Sequence, residues 1–409
     1  MYDRKGERRV ACHCVKMRST NIAYLVTDPI IYQVPLLRRV SSEPDISLKV
    51  FFARDESAHV YDAGFGKPVV WDIPLLDGYD YEVLPAFTRS RTTSFTRPLN
   101  YDVASKLKQG QFDALWVHGY MRWNHWLAIA AAKRLGMKVL IRDEATEISR
   151  LRGPIRKVMK KLFFRLFNRY VDRFLAIGSL NRDYYIRQGI PEQKICLVPY
   201  AVDNVFFQSR VRACSRERQE LREKLDLDSS RPIILYAGKF TDRKRPTDLL
   251  SAYTNLSPDG RREPHAYLLY VGEGELRSEL EKRAAQLGWK SIRFVGFKNQ
   301  TEIPAFYDLC DVFVMPSLSE PWGLVVNEAM NAKRPIVISD KVGCAPDLVR
   351  HGENGLIFRG GDPSSLHRAL VQILSDSDRR ESMGLRSLTI INSWSYEEDV
   401  YGLRQALEI

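Results

Sequence analysis

Short apolar, β-rich runs alternate along this chain with longer amphipathic stretches, and the alternation occurs twice. In the first half the runs are Ile22–Val26, Leu48–Phe52, Ala114–Val117, Val139–Arg142 and Phe174–Ile177. In the second half they are Ile233–Ala237, Ala266–Val271, Ile292–Val295, Val312–Met315, Pro335–Ile338 and Gly355–Phe358. A strand that is apolar on both faces needs helices above and below it. Such runs, separated by helical segments, predict parallel, doubly wound sheets. Between the halves, Gln208 to Arg231 is rich in Arg and Glu and has no strand character. The expected organisation is an α/β chain of two Rossmann-like, doubly wound parallel-sheet domains facing a cleft. The first domain spans 17–206, a linker 207–231, the second domain 232–392, and a terminal helix 393–409. Residues 1–16 are expected to be an extension outside the folded unit, because Met17 leads directly into the first apolar run.

A length of 409 residues suits two or three domains, and 44% hydrophobic with 27% charged residues is the composition of a globular chain with a core. No run of eighteen or more uncharged apolar residues occurs, so no membrane-spanning helix is expected. The N-terminus lacks an apolar signal region, which argues against secretion. Cys12, Cys14, Cys196, Cys214, Cys310 and Cys344 form no CxxC pair and read as reduced, cytosolic thiols. Cys12-His13-Cys14 has no second ligand pair nearby, and Asp226–Asp228 lies in the polar linker, so no metal is expected at either. The 62 basic and 50 acidic residues leave a net charge of +12, which favours an anionic partner.

In open parallel sheets, ligands bind beyond the carboxyl ends of the strands. Five strand ends carry suitable chemistry, one of them at Ser339–Phe358, with a glycine-rich loop and a helix start at Pro346-Asp347. After Val312–Met315 comes "SEPWGLVVNEAM", in which Glu320 lies on the loop and Gly323 opens a helix. The first N–H groups of that helix, at Gly323, Leu324 and Val325, make a ready anion site, and glycine lets a phosphate approach closely. Glu328, about one and a half turns in, suits a vicinal diol such as a ribose. The same spacing also fits an ordinary capped helix with solvated acids. After Ile233–Ala237, Gly238 is followed by Lys239 and Lys244, two cations that fit either a diphosphate or a solvated basic loop. Gly272 and Gly274 form a strand-to-helix turn, which alone is weak evidence for a dinucleotide. Phe294–Phe297 ends a strand whose backbone could hydrogen-bond a base.

Taken together and in this order, these pieces resemble the C-terminal half of the family-4 retaining glycosyltransferases of GT-B fold. The matching elements are Gly238-Lys239 with Lys244, Val271–Gly274, Phe294–Phe297, the Glu320/Glu328 pair, and Gly343 with Gly352–Gly355. The resemblance implies that Lys239 and Lys244 hold the donor diphosphate and that Glu328 holds the nucleotide ribose. It implies that Glu320 holds hydroxyls of the transferred sugar, with Trp322, Gly323 and Leu324 beside them and Phe297 and Gly238 completing the donor site. In the first half, His118-Gly119 ends a strand where the family often places a histidine facing the donor sugar. The closing segment from Trp394 resembles the family's terminal helix that crosses back to the first domain. The family's glycine-rich loop after the first strand is replaced here by Thr27–Pro35. Asp28, Tyr32 and Gln33 on that loop are the candidate acceptor contacts.

Pro154–Arg173 places Ile155, Val158, Met159, Leu162, Phe163, Leu166 and Phe167 at helical spacing, flanked by six Lys and Arg residues. The expectation is a helix whose apolar face joins the core while its basic face meets an anionic membrane. No motif supports nucleic-acid binding.

The implied activity is a retaining, hexosyltransferase-type glycosyltransferase, metal-independent and without a cofactor, that uses a nucleotide-diphosphate sugar. A glycan or lipid-linked acceptor, surface polysaccharide or glycoconjugate biosynthesis, and a peripheral position at the cytoplasmic face of the membrane complete the expectation. Two alternatives stay open: a sugar-nucleotide epimerase of the same fold, and a non-catalytic nucleotide-sugar-binding partner subunit. No GxGxxG follows any strand, which argues against a Rossmann dehydrogenase.

Overall fold

In a computed structural model, the described residues are 19–54, 60–62, 64–87, 94–148 and 153–409. The segment 1–16, with Cys12, His13 and Cys14, lies outside them. The first half contains β1 (Thr20–Val26), β2 (Ile46–Phe52), β3 (Val60–Asp62), β4 (Lys67–Val69), β5 (Asp80–Val83), β6 (Ala114–His118), β7 (Lys138–Arg142), β8 (Arg173–Ala176) and β9 (Ile195–Leu197). The second contains β10 (Ile233–Ala237), β11 (Tyr267–Val271), β12 (Ile292–Gly296), β13 (Val312–Met315), β14 (Ile336–Ser339) and β15 (Gly355–Phe358).

The strands form two main sheets, ordered β5-β2-β1-β6-β7-β8-β9 and β12-β11-β10-β13-β14-β15, and all pairings within them are parallel. Strands β3 and β4 make a separate antiparallel hairpin. Each sheet reverses its winding once, between β1 and β6 in the first and between β10 and β13 in the second. A crevice opens at such a switch point, outside the carboxyl ends of the strands. The central strands carry no solvated face: β10 (IILYA), β11 (YLLYV) and β13 (VFVM) are buried throughout. That double burial is why they read as continuous apolar runs rather than alternating ones.

The charged stretch between the halves folds into the helices Asn204–Cys214 and Arg218–Lys224. Phe207 and Leu227 from this stretch join the core of the second sheet, so it packs as part of that domain. The last helix, Tyr396–Leu407, buries Val400, Leu403, Ala406 and Leu407 with Ile22, Tyr24 and Trp116 of the first sheet. It starts with a capping box made by Ser395 and Glu398. Beneath it the Arg142 guanidinium, at the end of β7, donates to Asp399 Oδ1 at 3.0 Å and to the Val198 and Pro199 carbonyls. Both partners are buried.

One expectation is corrected. The helix Pro154–Phe167 buries Phe164 and Phe167, against Tyr120, Phe174 and Tyr185. Phe163 is half-buried against Tyr120 and Trp126 at the edge of that core, but the remaining apolar residues stay exposed. Ile155 is 76% exposed, Val158 69%, Met159 65% and Leu162 57%. Its fully buried residues, Phe164 and Phe167, both lie near its C-terminal end. Among the described residues, no helix is long and apolar enough to cross a membrane.

Candidate active site

Between the two sheets lies a cavity of about 480 Å³. Its walls combine Gly238 and Lys239 after β10, Gly272 after β11, Phe297 after β12, and Leu324 and Glu328 of the helix after β13. From the first domain come Asp28 and Tyr32 of the loop after β1, with Phe65 and Trp71 beside the β3–β4 hairpin. Seven candidates from the sequence therefore meet in one place: Asp28, Tyr32, Gly238, Lys239, Phe297, Leu324 and Glu328.

The loops that bring them together are laced by backbone hydrogen bonds. Gly238 N–H donates to Val271 O at 2.9 Å, Phe240 N–H to Glu273 O at 2.8 Å, and Gly272 N–H to Gly296 O at 2.9 Å. The approach is so close that a Cβ on Gly272, at φ +144°, would stand 1.9 Å from Gly238 O. The glycines of the Val271–Gly274 turn thus let neighbouring strand-end loops touch. The Tyr236 hydroxyl donates to Lys239 O at 2.8 Å and fixes the lysine's backbone from below. The Lys239 ammonium lies 4.9 Å from the centre of the Phe65 ring, within cation–π range.

Glu328 is 8% exposed. The Tyr307 hydroxyl donates to its Oε2 at 2.6 Å. Burial pushes the Glu328 carboxyl up to about 7, while hydrogen bonds from Tyr307 and Gln300 act in the opposite direction. Such a group is poised to accept hydrogen bonds from ligand hydroxyls, because few other donors reach it. At the start of its helix, Gly323 sits at φ +103°. The bond from Val326 N–H to Gly323 O closes the first turn, at 2.9 Å.

Lys244 and Glu320 stand on adjacent strand ends, after β10 and β13, and form an ion pair with each other. Both side chains are largely buried, and Arg243 adds a second cation 3.8 Å from Glu320. Glu320 N–H donates to Lys341 O at 3.1 Å and its carbonyl accepts from Gly343 N–H at 2.9 Å. A Cβ on Gly343 would fall 1.8 Å from Pro321 O, so that glycine serves loop packing.

His118 ends β6 and accepts a hydrogen bond from the Gln33 side-chain amide, whose nitrogen is 3.0 Å from Nδ1 and 3.1 Å from Nε2. Gln33 is itself buried and accepts from the Tyr24 hydroxyl at 2.7 Å, so it supports the histidine from beneath. Burial, with Arg142 and His125 nearby, lowers the His118 imidazole to about 3 and keeps it neutral. Asp28 is held by Arg54 through two bonds of 2.7 Å. Tyr32 donates to Glu144 at 3.1 Å, and Tyr200 donates to the same carboxylate at 2.7 Å.

The Trp322 ring does not reach the cavity. It is buried at the junction of the domains, stacked on Trp394 at 5.5 Å, and donates from Nε1 to Asn327 Oδ1 at 3.0 Å. Only its backbone remains beside the site. A larger cavity of about 640 Å³, lined by Arg38, Phe206 and Tyr396, meets the first at Tyr32 and Gln300 but lacks the lysines of the strand ends. Among the described residues, no group of three or more His, Cys, Asp or Glu side chains is placed to hold a metal ion.

Sequence reasoning missed Tyr307, Gln300, Tyr236, Phe65, Trp71 and Glu144. The first three support site residues from flanking elements that carry no motif. Phe65 and Trp71 sit in "FGKPVVW", where two aromatic residues in a glycine- and proline-bearing loop were the available signal.

Two family models match the chain. "Glycosyltransferase Family 4" covers residues 58–205, and "Glycosyl transferases group 1" covers residues 217–387. A Rhizobium meliloti lipopolysaccharide core biosynthesis glycosyltransferase is 35% identical over 179 residues, 43% of this chain and 49% of that protein. The Arabidopsis thaliana sulfoquinovosyl transferase is 32% identical over 225 residues, 54% of this chain and 41% of that protein. The chain thus spans about half the length of the curated relatives it matches. Among solved structures, Anabaena HepE in complex with UDP and glucose superposes with a TM-score of 0.68 at 16% identity, over 95% of this chain and 99% of that one. WaaG, a glycosyltransferase involved in lipopolysaccharide biosynthesis, superposes with a TM-score of 0.63 at 15% identity, over 91% and 95%. These superpositions establish a GT-B fold.

Proposed function

We propose that this chain, which belongs to the family-4 glycosyltransferases of GT-B fold, transfers a hexosyl residue from a nucleoside-diphosphate sugar with retention of configuration. The observation that carries the reading is the shared cavity: a lysine, a helix start and a buried acid converge at the switch point of the second sheet. Lys239, Lys244 and the amides at Gly323 and Leu324 stabilise the diphosphate as the glycosidic bond breaks. Preorganised charge of this kind is usually the largest catalytic contribution. The sugar passes through an oxocarbenium-like state. Glu328 holds the ribose. Glu320 and neutral His118 hold hydroxyls of the sugar, and Asp28 and Tyr32 face the acceptor. The leaving phosphate takes the acceptor's proton as the new bond forms on the same face, so the reaction needs neither an enzyme nucleophile nor a metal.

The acceptor in this reading is a lipid-linked or surface glycan, at the cytoplasmic face of an anionic membrane. Several named relatives support it, among them the lipopolysaccharide core glycosyltransferase and a mycobacterial phosphatidylinositol monomannoside mannosyltransferase. The exposed ridge Ile155, Val158, Met159 and Leu162 supports it further, because Arg156, Lys157, Lys161 and Arg165 lie on the same helix and no acid does. Apolar side chains enter the lipid boundary while the cations meet headgroups. The test is a screen of nucleotide sugars for binding and slow hydrolysis, followed by lipid-linked acceptors, with the anomeric configuration of the product read by NMR. Binding of no nucleotide sugar, or an inverted product, contradicts the proposal.

A further inference from the structure

The chain between β2 and β5 leaves its own sheet and lands on the other domain. Two polar ties hold it there. Asn299 Nδ2 donates to Val70 O at 2.7 Å, and Asp72 accepts from Thr301 N–H at 3.0 Å and from the Thr301 hydroxyl. Beside these ties, Phe65 and Trp71 both meet Phe297, with ring centres 5.0 Å and 6.1 Å apart in edge-to-face arrangements. All three rings line the cavity that holds Lys239 and Glu328. A cavity wall of three aromatic side chains needs a reason, since a diphosphate alone calls for charge and hydrogen-bond donors. A flat, π-rich ligand supplies one. A nucleobase stacks on aromatic side chains whatever its hydrogen-bonding edge.

We propose that Phe65 and Trp71 bind the nucleobase of the donor together with Phe297, so that the first domain supplies half of the base site. This inference rests on the nucleotide-sugar reading above and adds to it two binding residues from the opposite domain. The Lys239 ammonium lies over the Phe65 ring, 4.9 Å from its centre. Nucleotide binding exchanges that contact: the ammonium turns to the diphosphate and the aromatic wall takes the base. Because the wall spans the cleft, base recognition also ties the two domains together, through Asp72 and Thr301.

Calorimetric titration of the full chain with UDP and with GDP tests this, beside inorganic pyrophosphate as a probe without a base. Phe65→Ala and Trp71→Ala are each expected to weaken the better-bound nucleotide by about tenfold, the range of a single base–aromatic stack. Pyrophosphate binding should stay within about twofold of wild type, and Trp71→Phe should recover most of the nucleotide affinity. Unchanged nucleotide binding overturns the inference. Tighter binding overturns it too, by identifying Phe65 as a plug that a ligand must displace. Parallel loss of nucleotide and pyrophosphate affinity assigns the aromatic residues to domain packing alone and likewise overturns it. If the wild-type chain binds neither nucleotide, the functional reading falls, and this inference with it. If Glu328→Ala abolishes nucleotide binding while both aromatic variants bind normally, only this inference falls.

Discussion

The Tyr307 hydroxyl donates to Glu328 Oε2 at 2.6 Å, and both residues line the cavity between the sheets. The contact fixes the carboxylate in one orientation, yet a single phenol does not offset its burial, and the group stays near 7.

A pH dependence follows from that. The folded-state value lies above the ordinary 4.5, so the folded protein holds the proton more tightly than the unfolded chain. The resulting stabilisation is complete below about 4.5 and disappears as pH rises through about 7, on the order of 3 kcal/mol in all. Glu328→Gln removes the slope, so its melting temperature relative to wild type should rise between pH 5 and pH 8. Nucleotide affinity should follow the opposite trend in wild type, increasing through about 7 as the carboxylate ionises, and should be weak and flat in the variant. Thermal melts and titrations across this range measure both.

Lys244 is paired with Glu320, both largely buried, on the strand ends after β10 and β13. If the lysine acts on the departing diphosphate, Lys244→Ala should lower kcat by about a hundredfold or more while KM for the donor changes little, the pattern of an interaction made mainly in the transition state. Steady-state kinetics on the identified donor decides it. A rise in KM with kcat preserved would assign Lys244 to ground-state binding.

Arg142 and Asp399 form a buried ion pair that anchors the final helix to the end of β7. Asp399→Ala should destabilise the protein by roughly 3–5 kcal/mol, because it strands a buried guanidinium. Replacing both partners with Arg142→Met and Asp399→Leu should cost less than the single change. Denaturant unfolding of the three proteins tests the order.

Val158 and Leu162 are exposed on the helix Pro154–Phe167 and do not line the cavity between the sheets. Val158→Glu with Leu162→Glu should abolish co-sedimentation with anionic phosphatidylglycerol vesicles and leave donor hydrolysis in solution intact. Raising the salt should release wild type only in part, since burial of apolar side chains is not screened. Full release by salt would return the helix to purely electrostatic contact.

Much of this architecture was legible because buried parallel strands leave an unmistakable apolar trace, and all of the main strands of the second sheet were found that way. β5 (DYEV) and β9 (ICL) escaped because they lie at the sheet edges, where pairing is one-sided and no apolar run is needed. The β3–β4 hairpin escaped because its strands are three residues long. Helical periodicity identified 154–167 as amphipathic, but periodicity cannot tell which neighbour covers a face, and here most of that face is left open. The Trp322 ring was misplaced for a related reason: its neighbours in sequence border the site, while its rotamer carries it to Trp394 and Tyr200. Glu328 was found from its spacing, but not Tyr307, because their contact links two different helices.

The central claim is that the second domain holds a pyrophosphate at Lys239, Lys244 and the Gly323–Leu324 amides, with the ribose on Glu328. A crystal structure with a bound nucleoside diphosphate tests it most directly. The account predicts phosphate oxygens within hydrogen-bond distance of both lysines and of the helix-start amides, and ribose hydroxyls on Glu328 with the Lys244–Glu320 pair opened. A nucleotide bound in the larger cavity near Arg38 and Tyr396, with Lys239 and Glu328 untouched, would contradict it.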